Sequence, residues 1–291
     1  MLDLDGKLSK DGKLLYRLNL SAQNKKSHRD YEYNNRYAMA PVLSYQINDN
    51  TKITAEYTYQ YAKMTDVGSY YVFAPGTEYA TLPRNFTMTA PGLEPTKITD
   101  QTFLINFEHQ ISNDWKLTAQ AMHSKYRHQG TSSWPSIVNP DGTLQRGISI
   151  WDAASDITMG QLFINGNVRT GKITHRILGG IDAGSKDYMA DWGQYFVIDS
   201  ANGGEFNPAD PNYGVPSNGF PIWDRTTPLE ARSVQAGGLM GQRYAAVYVQ
   251  DELGFFENKL RLTLAGRYTD LSQHSWGDPA VKAKKLRHVL V

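Results

Sequence analysis

The sequence predicts an all-β protein. The fold is a transmembrane, antiparallel, up-and-down β-barrel, with about ten strands in this chain. Three observations carry this. Apolar and polar residues alternate with period two over segments roughly twice the usual five or six residues of a soluble strand. A tilted strand needs about 9–11 residues to cross a bilayer. The linkers between segments alternate between short and long. Aromatic residues form two levels that bracket an aliphatic band.

Taken in order, the predicted strands cover 1–8, 13–25, 36–47, 51–64, 99–111, 115–129, 157–170, 172–187, 241–254 and 259–271. In the second, Leu14, Tyr16, Leu18, Leu20 and Ala22 oppose Arg17, Asn19, Ser21 and Gln23. In the fourth, Ile53, Ala55, Tyr57, Tyr59 and Tyr61 oppose Lys52, Thr54, Glu56, Thr58 and Gln60. In the fifth, Phe103, Ile105 and Phe107 oppose Thr102, Asn106 and Glu108. In the last, Leu260, Leu262, Leu264 and Tyr268 oppose Lys259, Arg261, Thr263 and Arg267. No segment shows a helical period.

Ser9-Lys10-Asp11-Gly12, Asn48-Asp49-Asn50, Ser112-Asn113-Asp114, Thr170-Gly171 and Phe255 to Asn258 are the short links, and most carry the Gly, Asn and Asp chemistry of tight hairpins. The long links are 26–35, 65–98, 130–156 and 188–240. In a meander every second link lies at the same end, so all the turns sit at one end and all the loops at the other. Long loops without structure count against a soluble domain, whereas membrane barrels have short periplasmic turns and long extracellular loops. Tyr57, Tyr59 and Tyr61 fall toward the long-loop end, and Tyr16, Tyr45, Trp115, Phe255 and Phe256 toward the turns.

Composition removes other classes. Lys plus Arg is 30 and Asp plus Glu is 29, without the basic excess that marks a nucleic-acid binder. No run approaches 18 apolar residues, which excludes membrane-spanning helices. There is no cysteine, hence no disulfide scaffold, thiolate metal site or cysteine nucleophile. Met1 leads into Leu-Asp-Leu-Asp-Gly with no basic start and no apolar core, so no secretory leader is read there.

The segment 243–271 closely resembles the barrel signature of TonB-dependent siderophore receptors of the ferrichrome type. The matching residues are Tyr248-Val249-Gln250-Asp251-Glu252, Leu260 to Leu264 and Ala265-Gly266-Arg267-Tyr268. The segments 2–24 and 48–61 resemble earlier hairpins of such barrels. The resemblance implies uptake of ferric siderophores at the cell outer membrane, through a barrel of about 22 strands closed around a plug domain. It implies no enzymatic chemistry and no cofactor, iron being carried only inside the ferric siderophore. The implied partners are that chelate, outer-membrane lipid and the TonB complex reached through the plug, with no nucleic acid. Residues 1–291 read as part of the barrel domain, with no plug visible and no strand expected in 282–291. An open ten-strand sheet leaves backbone groups unpaired in lipid, so by itself it is expected neither to insert nor to transport.

If ligand is met from outside, the long-loop aromatics Tyr70, Tyr71, Tyr79, Trp134, Trp151, Trp192, Tyr195, Tyr213 and Trp223 are the candidate binding residues. Flat rings with polar edges suit large amphipathic chelates. Arg84 and Arg146 are the loop cations placed to attract an anionic one. Structural anchoring of one loop to another is the competing role for each. Arg17, Glu56, Arg176, Arg261 and Arg267 face inward and are expected to line the lumen.

No catalytic constellation emerges. The seven histidines form no metal-binding motif, and His123 and His128 point to opposite faces of one strand. Asp3-Leu4-Asp5-Gly6 reads as a strand end, not a calcium loop, and Gly237-Gly238 as a flexible lead into a strand. Three alternatives stay open: a closed ten-strand outer-membrane hydrolase, a secreted carbohydrate-binding β protein, and, within the family, a receptor for glycan, haem or cobalamin.

Overall fold

The computed structural model describes residues 1–66, 81–276 and 289–290. Its main sheet is a meander. The strands are β1 (Leu2–Lys7), β2 (Leu14–Gln23), β3 (Asn34–Asn48), β4 (Thr51–Met64), β5 (Thr96–Gln110), β6 (Trp115–Gln129), β9 (Asp152–Thr170), β10 (Ile173–Asp191), β12 (Leu239–Phe255), β13 (Leu260–Trp276) and the two-residue β14 (Val289–Leu290). They pair antiparallel in that order. Nine strands of ten or more residues plus the six-residue β1 match the expected count of ten. All five tight turns fall at one end, and the loops 24–33, 65–95, 130–151 and 192–238 at the other.

Cross-strand register separates the two faces. Leu18 pairs with Pro41, Leu20 with Met39, Tyr45 with Ile53, and Ile53 with Phe107. Farther along, Ile181 pairs with Leu162 and Val247, and Val247 with Tyr268. This face is apolar and open: Val249 is 59% exposed and Leu264 56%. In water such a surface aggregates, whereas in hydrocarbon it is solvated. From Ile53 to Tyr61 the band runs nine residues, which at about 3.3 Å per residue and a tilt near 40° is roughly 20 Å tall.

The opposite face is polar and cross-linked. Arg17 holds Asp3 through two nitrogens at 3.0 and 2.6 Å. Lys52 and Lys116 both meet Glu108. Glu252 faces Arg176 at 3.3 Å and Arg261 at 3.6 Å. Arg267 grips Asp182 at 2.7 and 2.8 Å. The expected inward arginines therefore share one face and lie in ion pairs. Close approach explains two glycines here: a Cβ on Gly180 would meet the Tyr248 hydroxyl at 2.6 Å, and one on Gly184 would meet Tyr244 at 2.6 Å.

Several expectations are corrected. The loop 130–151 contains a hairpin, β7 (Thr131–Val138) and β8 (Leu144–Ile150), turned by Asn139-Pro140-Asp141-Gly142 with Gly142 at φ 86°. β11 (Tyr195–Val197) joins β8 to form a separate three-stranded sheet. A helix, α1 (Leu229–Ala236), ends on Gly237, whose left-handed backbone (φ 77°) sends its N–H back to Ser233 and Val234. Gly237-Gly238 is thus a helix cap, not a flexible lead. At Gly238 a Cβ would sit 1.9 Å from the Ala190 carbonyl, which excludes any side chain there. β9, β10 and β13 run 19, 19 and 17 residues, beyond the expected bounds: loop residues pack on the upper ends of β9 and β10, and β13 continues its pairing with β12 up to Trp276. Val289 and Leu290 pair with Thr269 and Tyr268, so 282–291 does hold a short strand. Among the described residues nothing pairs β1 with β14. The sheet is open, and the closed ten-strand barrel is not the arrangement found.

Candidate functional site

At the long-loop end, the loop 81–95, the small sheet and the 192–238 connection pack into a crown with its own core. Phe86, Met88, Leu144 and Phe206 form one apolar cluster, with Leu82 and Tyr213 against it. Ala90, Ile148 and Ile198 form the second, with Phe196, Phe220 and Trp223. The alternation Leu144, Arg146, Ile148, Ile150 aims one face of β8 into this core.

Three buried polar sites fix how the loops meet. Arg146 and Asp199 are each 3% exposed. The guanidinium donates to both carboxylate oxygens at 2.8 and 2.9 Å and to the Met88 carbonyl at 3.3 Å, and it lies 4.0 Å over the Phe206 ring. Second, Asp152 at the head of β9 accepts from Arg225 at 2.9 and 3.0 Å and from Arg232 of α1 at 3.2 Å. Arg225 also holds Glu94 at 2.7 and 2.8 Å, and Arg232 holds Asp191 at 2.6 Å. Burial alone lowers the Arg225 pKa, but Asp152 and Glu94 outweigh it and hold the group above its ordinary value. Third, Asp66 is buried with no cation beside it among the described residues, and it accepts from the Ser133 and Thr89 hydroxyls. Burial pushes its carboxyl above the usual range, those hydroxyls pull it back, and nearby Glu32 pushes it up again.

This arrangement divides the candidate residues. Trp134, Trp192 and Tyr195 are exposed on the crown, as is Arg84. Tyr195 lies across Gly147, where a Cβ would fall 1.8 Å from its hydroxyl. Trp151, Tyr213 and Trp223 are partly buried and serve as anchors. The Trp151 carbonyl accepts from His128 Nδ1 at 2.7 Å, and its ring lies against the His128 ring. Tyr213 donates its hydroxyl to the Thr87 carbonyl at 3.1 Å and packs on Tyr31 and Phe206. Trp223 keeps a buried Nε1 without a hydrogen-bond partner among the described residues. Arg146 is a correction: its charge is spent on Asp199 and is not offered to a ligand. Tyr70, Tyr71 and Tyr79 lie outside the described residues. The sequence reading missed Asp152, Asp191, Asp199, Arg225 and Arg232. Their signal is faint, since each is a lone charge in a loop or at a strand end.

Below the crown the polar face forms a concavity of about 380 Å³ lined by Leu104, Gln120, Met122, Gln161, Tyr244 and Arg267, among others. Gln161 donates to Gln120, which donates to Asn106 at 3.0 Å. The wall therefore offers amide and phenol groups fixed by their neighbours. It provides recognition surface, and no nucleophile stands beside a base there.

Comparison with known proteins agrees with this geometry. The profile of the family described as TonB dependent receptor-like, beta-barrel matches residues 43–286. The metal-pseudopaline receptor CntO of Pseudomonas aeruginosa is 30% identical over 226 residues, covering 77% of this chain and 31% of that protein. The ferrioxamine receptor of Yersinia enterocolitica is 26% identical over 262 residues, covering 87% of this chain and 34% of that protein. The chain thus spans about a third of the length of these relatives. Among solved structures, the pyoverdine outer membrane receptor FpvA of Pseudomonas aeruginosa superposes with a TM-score of 0.72 at 17% identity, over 99% of this chain and 40% of that one. The ferric-catecholate import receptor Fiu of E. coli K12 does so at 0.70 and 15%, over 99% and 43%.

Proposed function

Because the chain belongs to the TonB-dependent receptor β-barrel family, we propose that it forms part of the wall and outer mouth of an outer-membrane receptor that takes up ferric siderophores. The observation that carries this reading is the asymmetry of the sheet: five tight turns at one end and, at the other, loops built into a packed crown above a polar concavity. The apolar face meets lipid. The polar face lines a lumen and holds a plug domain, which relays energy from the TonB complex. The crown supplies the outer rim, with Trp134, Trp192, Tyr195 and Arg84 at its surface, and Tyr70, Tyr71 and Tyr79 belong to the same loops. Recognition is of the chelator shell, with apolar ring contact plus hydrogen bonds. No covalent step is required.

The test is uptake of iron-55 chelates by iron-starved cells whose only receptor is the one containing this chain. TonB-dependent accumulation of at least one chelate is expected. Equal accumulation without TonB, or none for any chelate in a broad panel, refutes the reading. The identity to a metal-pseudopaline receptor supports a second reading in which the chelated metal is not iron, and the same cells loaded with zinc or nickel chelates decide it.

A further inference from the structure

Resting on the receptor reading, we propose that the mouth selects chelates of net negative charge, through a basic cleft at the root of the β2–β3 connection. The cleft has a volume of about 550 Å³ and is lined by Lys25, Lys26, His28 and Arg36 with the amides of Gln23 and Asn34. A volume of this size is typical of small-molecule sites. Its place in the fold follows from register. Arg17, Asn19 and Ser21 pair with Val42, Ala40 and Ala38, and the next pair on that polar face is Gln23 with Arg36. The cleft therefore opens on the lumen side at the long-loop rim, where a ligand arriving from outside passes.

A cluster of unmatched cations sets it apart from the arginine-lined parts of the polar wall. Arg17, Arg176 and Arg261 are each matched by a carboxylate on an adjacent strand, and Arg267 reaches across β12 to Asp182 of β10. Among the described residues, Lys25, Lys26 and Arg36 have no carboxylate within ion-pair distance, although all three are exposed at one cleft. Arg36 spends only its Nε, on the Asn34 amide oxygen at 3.0 Å. The one acid lining the cleft, Glu32, is buried and already engaged. It accepts the Thr87 hydroxyl at 2.7 Å and faces Arg29 at 3.7 Å. Three uncompensated cations around one concavity repel one another until an anion enters, and low-dielectric walls focus their field. Arg36 keeps its terminal nitrogens for a carboxylate-like group, and the lysines add point charges. The ligand class is a metal chelate with carboxylate or similar oxyanion groups left outside the metal shell.

The test uses the whole receptor in detergent, with iron-55 as ferric citrate (anionic), as a neutral ferric trihydroxamate and as a cationic one. We expect the wild type to retain the anionic chelate, and its affinity to fall as salt rises from about 50 to 300 mM. Lys25→Glu with Arg36→Glu should weaken that affinity at least tenfold without weakening the others. These side chains are exposed, so the barrel should assemble; Lys26→Gln serves as the milder variant, with a drop of about threefold. A change under twofold in both variants overturns the inference, as does a wild type that retains only neutral or cationic chelate. Retention of no chelate at all overturns the receptor reading instead.

Discussion

Replacing Asp152 with alanine removes the carboxylate on which two loop arginines converge. Asp152 is 6% exposed, Arg225 22% and Arg232 9%, so solvent screens little of the interaction. The substitution deletes contacts at 2.9 and 3.0 Å from Arg225, one at 3.2 Å from Arg232, and the Gly130 amide bond at 3.3 Å. Orphaning a buried charge outright costs about 3–5 kcal/mol. Here each guanidinium keeps one acid, Glu94 for Arg225 and Asp191 for Arg232. The expected loss is therefore lower, about 2–4 kcal/mol. It is local: β9 and β10 are joined by 19 residue pairs and should not notice. α1 has only eight residues, too few to persist without tertiary support. Hydrogen exchange followed by mass spectrometry reads the result. Amides of Arg232, Gly237 and Gly238 should exchange about 30- to 700-fold faster, since each 1.4 kcal/mol is tenfold. Asp152→Asn, which keeps shape and loses charge, should fall between. Unchanged protection in 225–238, or an equal loss spread into Ile173–Ile181, would refute the argument.

Three more outcomes follow from the same geometry. Arg146→Lys keeps the charge but loses the fork on Asp199 and the stacking on Phe206, and should cost the crown about 1–3 kcal/mol against about 3–5 for Arg146→Ala, read as protease resistance of the small sheet. Leu264→Arg on the apolar face should cost the assembled barrel about 2–4 kcal/mol in lipid, while Thr263→Arg, opposite Glu252 on the polar face, should be tolerated; heat-modifiable gel mobility in vesicles separates them. For Asp66 the folded pKa is raised, so its contribution is fully present below the ordinary Asp value near about 4 and is lost as pH rises through the raised one. Nicking of the 81–95 segment should therefore increase from acid toward neutral pH in the wild type and stay flat in Asp66→Asn.

How much of this was legible in the sequence differs by element. Period-two alternation and the alternating linkers name the meander, its ten strands, its faces and the end that bears loops, because both are local properties of a chain that pairs with its neighbour. The β7–β8 hairpin has a signal, Asn139-Pro140-Asp141-Gly142 between short runs, but it is faint because both runs are shorter than the membrane strands around them. α1 had almost none, since two turns are too short to show a period.

The site was less legible. Trp134, Trp192 and Tyr195 are exposed as a ligand rim requires, but nothing in their spacing tells them from Trp151, Tyr213 and Trp223, which anchor loops. By sequence Arg146 is a loop cation like Arg84; in the fold Asp199, 53 residues away, neutralises it. The sequence by itself determined the strand periodicity, the two chemically distinct faces and the family, because each is written in neighbouring residues and hairpin turns. Only the tertiary structure decided which loop charges cancel and which, as at Lys25, Lys26 and Arg36, stand uncompensated. Ion pairs between loops depend on distances in space that sequence separation does not encode.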